Sequence, residues 1–144
     1  MAVTLSISLS ESNISQANNT SDVTAVVYAH STQGSWSGNQ RPGYVVIDGT
    51  QYNFSSSFAA NVTTELYRTT KTVQHDPDGK KTVASNAFFS TGVSSGDITA
   101  TASIDLTTIQ RNSVITGATD SDDIQKYFEV SFTKYENYTH TLKV

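Results

Sequence analysis

The strict alternation of apolar and polar residues in separate segments constrains the fold of this chain more than any other feature. In residues 3–10, VTLSISLS, every second position is apolar: Val3, Leu5, Ile7 and Leu9. In residues 22–30, DVTAVVYAH, the same spacing relates four further apolar residues: Val23, Ala25, Val27 and Ala29. A period of two residues places these side chains on one face of an extended strand, so both segments are predicted β-strands with one buried face.

The amino-acid composition extends this prediction to the whole chain. Ser and Thr make up more than a quarter of the residues, and only 15% of the residues are charged. Threonine suits a pleated strand because its branched Cβ packs against neighbouring residues while its hydroxyl keeps the outer face hydrated. No segment combines the apolar stripe of a helix with an N-cap residue, so we predict an all-β protein.

Turn signals divide the chain into about six or seven predicted strands. Asp48-Gly49 predicts a two-residue hairpin, because both residues tolerate positive φ. Residues 63–74 and 81–90 are predicted to pair across the turn between them. Residues 96–109 form the last strong strand, with alternate residues facing inward: Ile98, Ala100, Ala102, Ile104 and Leu106. These strands predict an antiparallel β-sandwich, and periodicity alone leaves an immunoglobulin-like and a jelly-roll strand order open.

The character of the sequence changes after Ile109 and predicts three parts. Residues 1–109 form a β-sandwich module, residues 110–126 a linker, and residues 127–144 an appended C-terminal β-hairpin. In this hairpin the apolar residues of the first strand face those of the second: Phe128, Val130 and Phe132 against Tyr138, His140 or Leu142. A lone two-stranded hairpin is marginally stable in water, so it is expected to pack on the sandwich, to pair with another copy as an assembly element, or to begin a second module.

The stretch TVQHDPDGKKTV, residues 72–83, allows three interpretations: a calcium loop, an acidic catalytic site, or a turn between strands. A calcium loop needs further oxygen ligands after Asp-x-Asp-Gly, but Lys80 and Lys81 follow Gly79. A solvated turn does nothing to raise the pKa of a carboxyl group for acid catalysis. We therefore predict a structural hairpin turn, in which Pro77 fixes φ and Gly79 takes the left-handed conformation.

Charge and motif content disfavour several other function classes. The net charge of −4 provides no basic face for phosphates, so no nucleic-acid partner is expected. No apolar run reaches the length of a membrane span, and the N-terminus lacks a secretory pattern, so no membrane association is expected. His30, His75 and His140 lie on separate predicted strands at no metal-ligand spacing, and no nucleophile elbow or phosphate loop is present. We predict no metal, no cofactor, no catalytic residue and no enzyme activity.

The most loop-like segment, STQGSWSGNQRPG at residues 31–43, contains the only tryptophan, Trp36. One interpretation folds Trp36 back as a cap on one end of the sandwich, and the other leaves its indole exposed as a platform for sugar rings. In the second interpretation polar neighbours bind sugar hydroxyls, and the candidate ligand-binding residues are Trp36, Asn39, Gln40, Arg41 and Tyr44. Tyr52 and Tyr67 extend this platform if they are exposed rather than packed.

Four stretches resemble the minor structural, host-interaction (receptor-binding) tail proteins of streptococcal and lactococcal siphophages: NTSDVTAVVY (19–28), GYVVIDGTQYNFSSSF (43–58), KTVQHDPDGKKTV (71–83) and ASIDLTTIQRNS (102–113). The third resembles a turn that recurs between strands in that family. The fourth resembles the segment where one β-module ends and the next begins, although Gln110 stands where the family usually has proline. Residues 132–142 resemble the first hairpin of the following module, so the chain is expected to be a fragment or a short member of the family.

The resemblance implies a virion tail component with a β-sandwich similar to carbohydrate-binding modules, extracellular after release. Its implied partners are a saccharide of the host cell wall and other phage tail proteins, and a homo-oligomer such as a trimer is one expected assembly. The leading hypothesis is a non-enzymatic tail or baseplate module that binds this saccharide. The alternative is a purely structural tail spacer or decoration domain without a ligand.

Overall fold

The computed structural model describes residues 2–32 and 39–111, together with two strands at 114–120 and 128–133. The described residues form nine strands and no helix, so this part of the chain has no helix that could cross a membrane. The strands are β1 (Val3–Ser15), β2 (Thr20–Ser31), β3 (Arg41–Ile47), β4 (Thr50–Ser56), β5 (Thr63–Gln74), β6 (Thr82–Ser90), β7 (Asp97–Asp105), β8 (Val114–Asp120) and β9 (Phe128–Thr133). The predicted all-β class is confirmed.

The first seven strands form two antiparallel sheets with the core between them. The three-stranded sheet has the order β1-β2-β5, and the four-stranded sheet has the order β4-β3-β6-β7. This arrangement follows the immunoglobulin order. Strands one, two and five lie in one sheet, strands three, six and seven lie in the other, and the fourth strand pairs with the third. The predicted β-sandwich is confirmed, and this order favours the immunoglobulin-like alternative over the jelly roll.

The alternation in the sequence directs the apolar side chains between the two sheets. Fully buried residues come from three central strands and from the edge strand β5: Val23, Ala25 and Val27 of β2, Val45 and Ile47 of β3, Val73 of β5, and Val83 and Phe89 of β6. The inward residues predicted for β1 and β7 pack against this core and are partly buried at several positions: Leu5, Ile7, Leu9, Ile98 and Ile104. Both strands lie at sheet edges, which explains why these side chains keep some exposure.

Aromatic side chains fill one part of the core. Phe54 stacks on Tyr67 with ring centroids 4.9 Å apart, and Phe58 meets Phe89 edge-on at 6.2 Å. Tyr52 packs against the same core. Tyr52 and Tyr67 are therefore partly buried against the core and are not exposed as an aromatic platform.

The Asp48-Gly49 turn joins β3 to β4 as predicted. Only these two residues separate the strands, and their φ angles are 46° and 82°. Lys71 Nζ donates to the Asp48 carbonyl oxygen at 3.0 Å, and Lys81 Nζ lies 3.4 Å from the Asp48 carboxylate. The two lysines thereby hold the turn against the strands that follow it.

The pairing predicted between residues 63–74 and 81–90 is wrong. β5 pairs with β2, whereas β6 pairs with β3 and β7, so the stretch 72–83 crosses from one sheet to the other. Its turn chemistry is as predicted, because Gly79 has a φ of 85° and its N–H donates to the Asp76 carbonyl oxygen at 2.8 Å. The physical reason for the crossover is the burial of His75, which ties this segment to the end of the core instead of leaving it as an exposed hairpin.

The structure also differs from the linker predicted at residues 110–126. Val114–Asp120 forms β8, which pairs antiparallel with β9 in a separate two-stranded sheet. The β-branched run of residues 114–116 favours a strand over a linker. The second strand predicted within residues 134–144 lies outside the described residues, and the division into modules stays a prediction.

Candidate functional site

The outer face of the four-stranded sheet is a surface of aromatic, carboxamide and hydroxyl side chains. In β3, residues at odd positions point into the core and those at even positions point outward. The cross-strand register aligns the outward residues in rows: Asn53–Tyr44–Phe88–Thr99, then Gln51–Val46–Asn86–Thr101, then Ala84–Ser103. Rows lie about 7 Å apart and strands about 4.8 Å apart, so this surface spans roughly 14 Å in each direction.

An aromatic pair dominates the first row. The ring centroids of Tyr44 and Phe88 are 5.3 Å apart and their planes differ by 16°. Both side chains are half-buried on the outside of the sheet. Each ring covers one face of the other, which leaves the remaining face and edges of each ring to contact a ligand.

Carboxamide side chains lie beside this pair. Gln51 Nε2 donates to Asn53 Oδ1 at 2.8 Å, which orients the two amides of β4 relative to each other. The Asn53 amide hydrogens can still donate to a ligand, and the Gln51 side-chain carbonyl oxygen can still accept from one. Asn86 is exposed and makes no side-chain hydrogen bond within the described part of the chain. A shallow groove beside the pair is lined by small and polar residues: Val46, Ala84, Asn86, Thr101 and Ser103.

The structure describes four of the five candidate ligand-binding residues. Tyr44 lies on the outer face of the four-stranded sheet, whereas Arg41 donates from Nε and Nη2 to the last residue of β6, with both bonds 3.1 Å long. Asn39 and Gln40 are exposed just before β3, and Trp36 lies outside the described residues.

Phe88, Asn86 and Asn53 were not predicted from the sequence as neighbours of Tyr44. A signal for two of them was present, since the buried residues Val83, Ala87 and Phe89 of β6 imply that the even positions face outward. The register that brings them to Tyr44 depends on long-range pairing of β3 with β4 and β6.

A family model described as "Siphovirus protein of unknown function (DUF859)" matches residues 2–144. The chain belongs to this family. No curated protein and no solved structure matches it. The family confirms the siphophage part of the resemblance and suggests a phage virion protein, whereas the tail location and the receptor-binding role stay predictions.

A buried polar cluster in this siphovirus protein explains its His75 motif. His75 Nδ1 donates to the Gly79 carbonyl oxygen and Nε2 lies against Ser21 Oγ, both at 2.8 Å. Ser21 donates to the Glu11 carboxylate at 2.6 Å, and Glu11 also accepts from the Thr107 N–H at 2.9 Å. Here a serine bridges the histidine and the carboxylate, whereas in a nucleophilic triad the imidazole takes the central place. The cluster therefore acts as a structural link between β1, β2, the crossover and the segment after β7.

The Glu11 carboxylate makes the stability of the siphovirus protein dependent on pH. Burial alone raises its pKa, but hydrogen bonds from Ser21 and Thr107 and the neighbouring His75 outweigh burial and hold the pKa of Glu11 below its ordinary value. A carboxyl group with a lowered folded-state pKa stabilises the fold above its unfolded-state pKa and loses this contribution as pH falls through the folded-state pKa. We expect the wild type to lose more unfolding free energy than Glu11→Gln between about pH 7 and about pH 3 in urea titrations. Equal losses in the two proteins would contradict this assignment.

Proposed function

We propose that this siphovirus protein is a non-enzymatic module of the phage tail or baseplate that binds a saccharide on the surface of a Gram-positive host. The observation that carries the proposal is the outer face of the four-stranded sheet, where Tyr44 and Phe88 stack among exposed carboxamides and hydroxyls. Sugar rings pack their C–H faces on aromatic rings, and their hydroxyls pair with amides that both donate and accept. Family membership supports the association with the virion.

The framework behind this face suits such a role. β3 and β6 are central strands, so the backbones that present Tyr44 and Phe88 are hydrogen-bonded on both sides. A site on rigid strands loses little conformational entropy when a ligand binds. Several copies in one virion would convert weak binding at single sites into avidity for a surface with repeated saccharides.

A purely structural role as a tail spacer or decoration domain is the second candidate, and the segment after β7 favours it. Backbone N–H groups of Leu106 and Ile109 donate to the carbonyl oxygens of Lys81 and Gly79, both at 2.9 Å. These bonds fix the direction in which the chain leaves the sandwich, as a rigid spacer requires. Under this proposal the aromatic pair contacts another tail protein, and residues 127–144 act in assembly.

Truncation of the aromatic pair separates the two proposals. We expect Tyr44→Ala and Phe88→Ala each to weaken the binding of labelled protein to host cells by at least about tenfold, because central aromatic anchors dominate recognition sites. Tyr28→Ala is the matched control, since Tyr28 is a half-buried tyrosine of β2 in the other sheet. Its binding should stay within about twofold of the wild type.

Two results would count against saccharide binding at this face. Full-strength binding by both Tyr44→Ala and Phe88→Ala would show that the site lies elsewhere. Failure of the unmutated protein to bind host cells or any member of a glycan panel would remove the adhesion proposal and favour the spacer.

A further inference from the structure

We propose that the ligand of the outer face of the four-stranded sheet is an uncharged glycan rather than a wall polymer that carries phosphate or carboxylate groups. This inference rests on the proposed saccharide-binding function and adds the chemical class of the ligand. The three outward rows contain no ionisable acid or base that is charged at neutral pH: Tyr44, Val46, Gln51, Asn53, Ala84, Asn86, Phe88, Thr99, Thr101 and Ser103.

Four of the described lysines and arginines are engaged in contacts outside the three rows. Arg41 donates to the carbonyl oxygen and the hydroxyl of Ser90, the last residue of β6, beyond the row that contains Phe88. Arg68 forms an ion pair on β5 at 2.7 Å, and Lys71 and Lys81 hold the Asp48 turn. Binding of phosphate or carboxylate in proteins relies on such cations, on helix N-termini or on clustered backbone N–H groups. The backbone N–H groups of central strands β3 and β6 are already used in the sheet.

Two negative charges border this face. Asp97 and Asp105 are the first and last residues of β7, and both are exposed. Asp105 accepts a hydrogen bond from Thr82 Oγ1 at 2.7 Å, which keeps its carboxylate at the edge of the sheet. Carboxylates in these positions repel an anionic polymer and leave an uncharged one unaffected.

The groups that face outward match an uncharged sugar chain. A hydroxyl group both donates and accepts, and so do carboxamides, whereas a phosphate oxygen at neutral pH chiefly accepts. The orientation of Gln51 and Asn53 presents a carbonyl oxygen beside an amide donor, which fits hydroxyl or acetamido groups. The span of roughly 14 Å accommodates a short oligosaccharide beside the aromatic pair.

Two separate substitutions that introduce opposite charges at Asn86 test whether the ligand is charged. Asn86 is exposed in the middle row, so both Asn86→Lys and Asn86→Asp should fold, which unfolding curves would verify. The probe is cell-wall polysaccharide purified from the host, before and after chemical removal of phosphate groups, at low and high salt. We expect both variants to bind at least about fivefold more weakly than wild type, because both lose the carboxamide. The wild type should keep its affinity within about twofold after phosphate removal and in high salt.

The outcomes distinguish failure of this inference from failure of the proposed function. Tighter binding by Asn86→Lys together with weaker binding by Asn86→Asp, or loss of wild-type affinity on phosphate removal, would overturn the uncharged-glycan assignment while saccharide binding stands. Absence of wild-type binding to either preparation would overturn the proposed function and this inference with it. If none of the substitutions at Asn86, Tyr44 or Phe88 changes binding, the binding site lies on another surface.

Discussion

Replacing Gly79 with alanine is expected to lower the free energy of unfolding by about 3–5 kcal/mol. A Cβ at this position would lie 1.8 Å from the carbonyl oxygen of Ile109, a backbone atom that cannot rotate away. The φ of 85° adds backbone strain for any residue other than glycine. The clash would also separate the Gly79 carbonyl from the Ile109 N–H and from His75 Nδ1. Urea unfolding followed by circular dichroism would measure the loss.

Gly49→Ala provides the matched control for Gly79→Ala. Gly49 has nearly the same φ of 82°, but no atom lies within 4 Å of the position that a Cβ would take. The control should therefore lose only the conformational strain, about 1–2 kcal/mol. Equal losses in the two variants would contradict the close approach of the crossover to the segment after β7.

Replacing His75 with alanine is the second change with a large expected effect, a loss of about 3–5 kcal/mol in unfolding free energy. The imidazole is fully buried, and its removal takes one partner each from the Gly79 carbonyl oxygen and the Ser21 hydroxyl, which keep their bonds with the Ile109 N–H and with Glu11. The substitution also opens a cavity at the end of the sandwich. Thermal or urea unfolding of the purified variant would measure the effect.

His30→Ala is the control for a histidine with equally good hydrogen bonds at the surface. His30 contacts Ser6 Oγ at 2.7 Å and Thr63 Oγ1 at 2.8 Å on the exposed side of the three-stranded sheet. Water replaces these bonds when the ring is removed, so the loss should stay below about 0.5 kcal/mol. A similar loss for His30→Ala and His75→Ala would argue against the buried polar cluster as a link between the sheets.

The core could be predicted from the sequence because its signal is local. Alternation alone assigned Val23, Ala25 and Val27 to the interior, since successive side chains of any strand point to opposite faces. The Asp48-Gly49 turn was predictable for the same reason, because positive φ at two adjacent residues is a property of those residues. Neither inference needed to know which strands are neighbours.

The partner of each strand could not be predicted because strand pairing is decided by contacts far apart in sequence. The turn chemistry of Pro77 and Gly79 serves a crossover between sheets as well as it serves a hairpin, so the motif did not distinguish them. What decides the crossover is the buried contact of His75 with Ser21, a residue of a distant strand.

The candidate site was predictable only in part for a related reason. Tyr44 was predicted as part of a loop site, whereas it is a residue of strand β3. Its actual neighbours, Phe88 and Asn53, come from other strands through the cross-strand register. The sequence therefore pointed to Tyr44 as a candidate aromatic residue, while the residues around it depended on the tertiary fold.

A map of the ligand contact in solution tests the proposed saccharide-binding face most directly. Isotope-labelled protein would be titrated with fragments of purified host wall polysaccharide, and backbone and side-chain amide signals would be followed by nuclear magnetic resonance. We expect the largest shifts at the side-chain amides of Gln51, Asn53 and Asn86 and at the backbone of Tyr44 and Phe88. Largest shifts on the three-stranded sheet, or unchanged spectra at every concentration of polysaccharide, would contradict it.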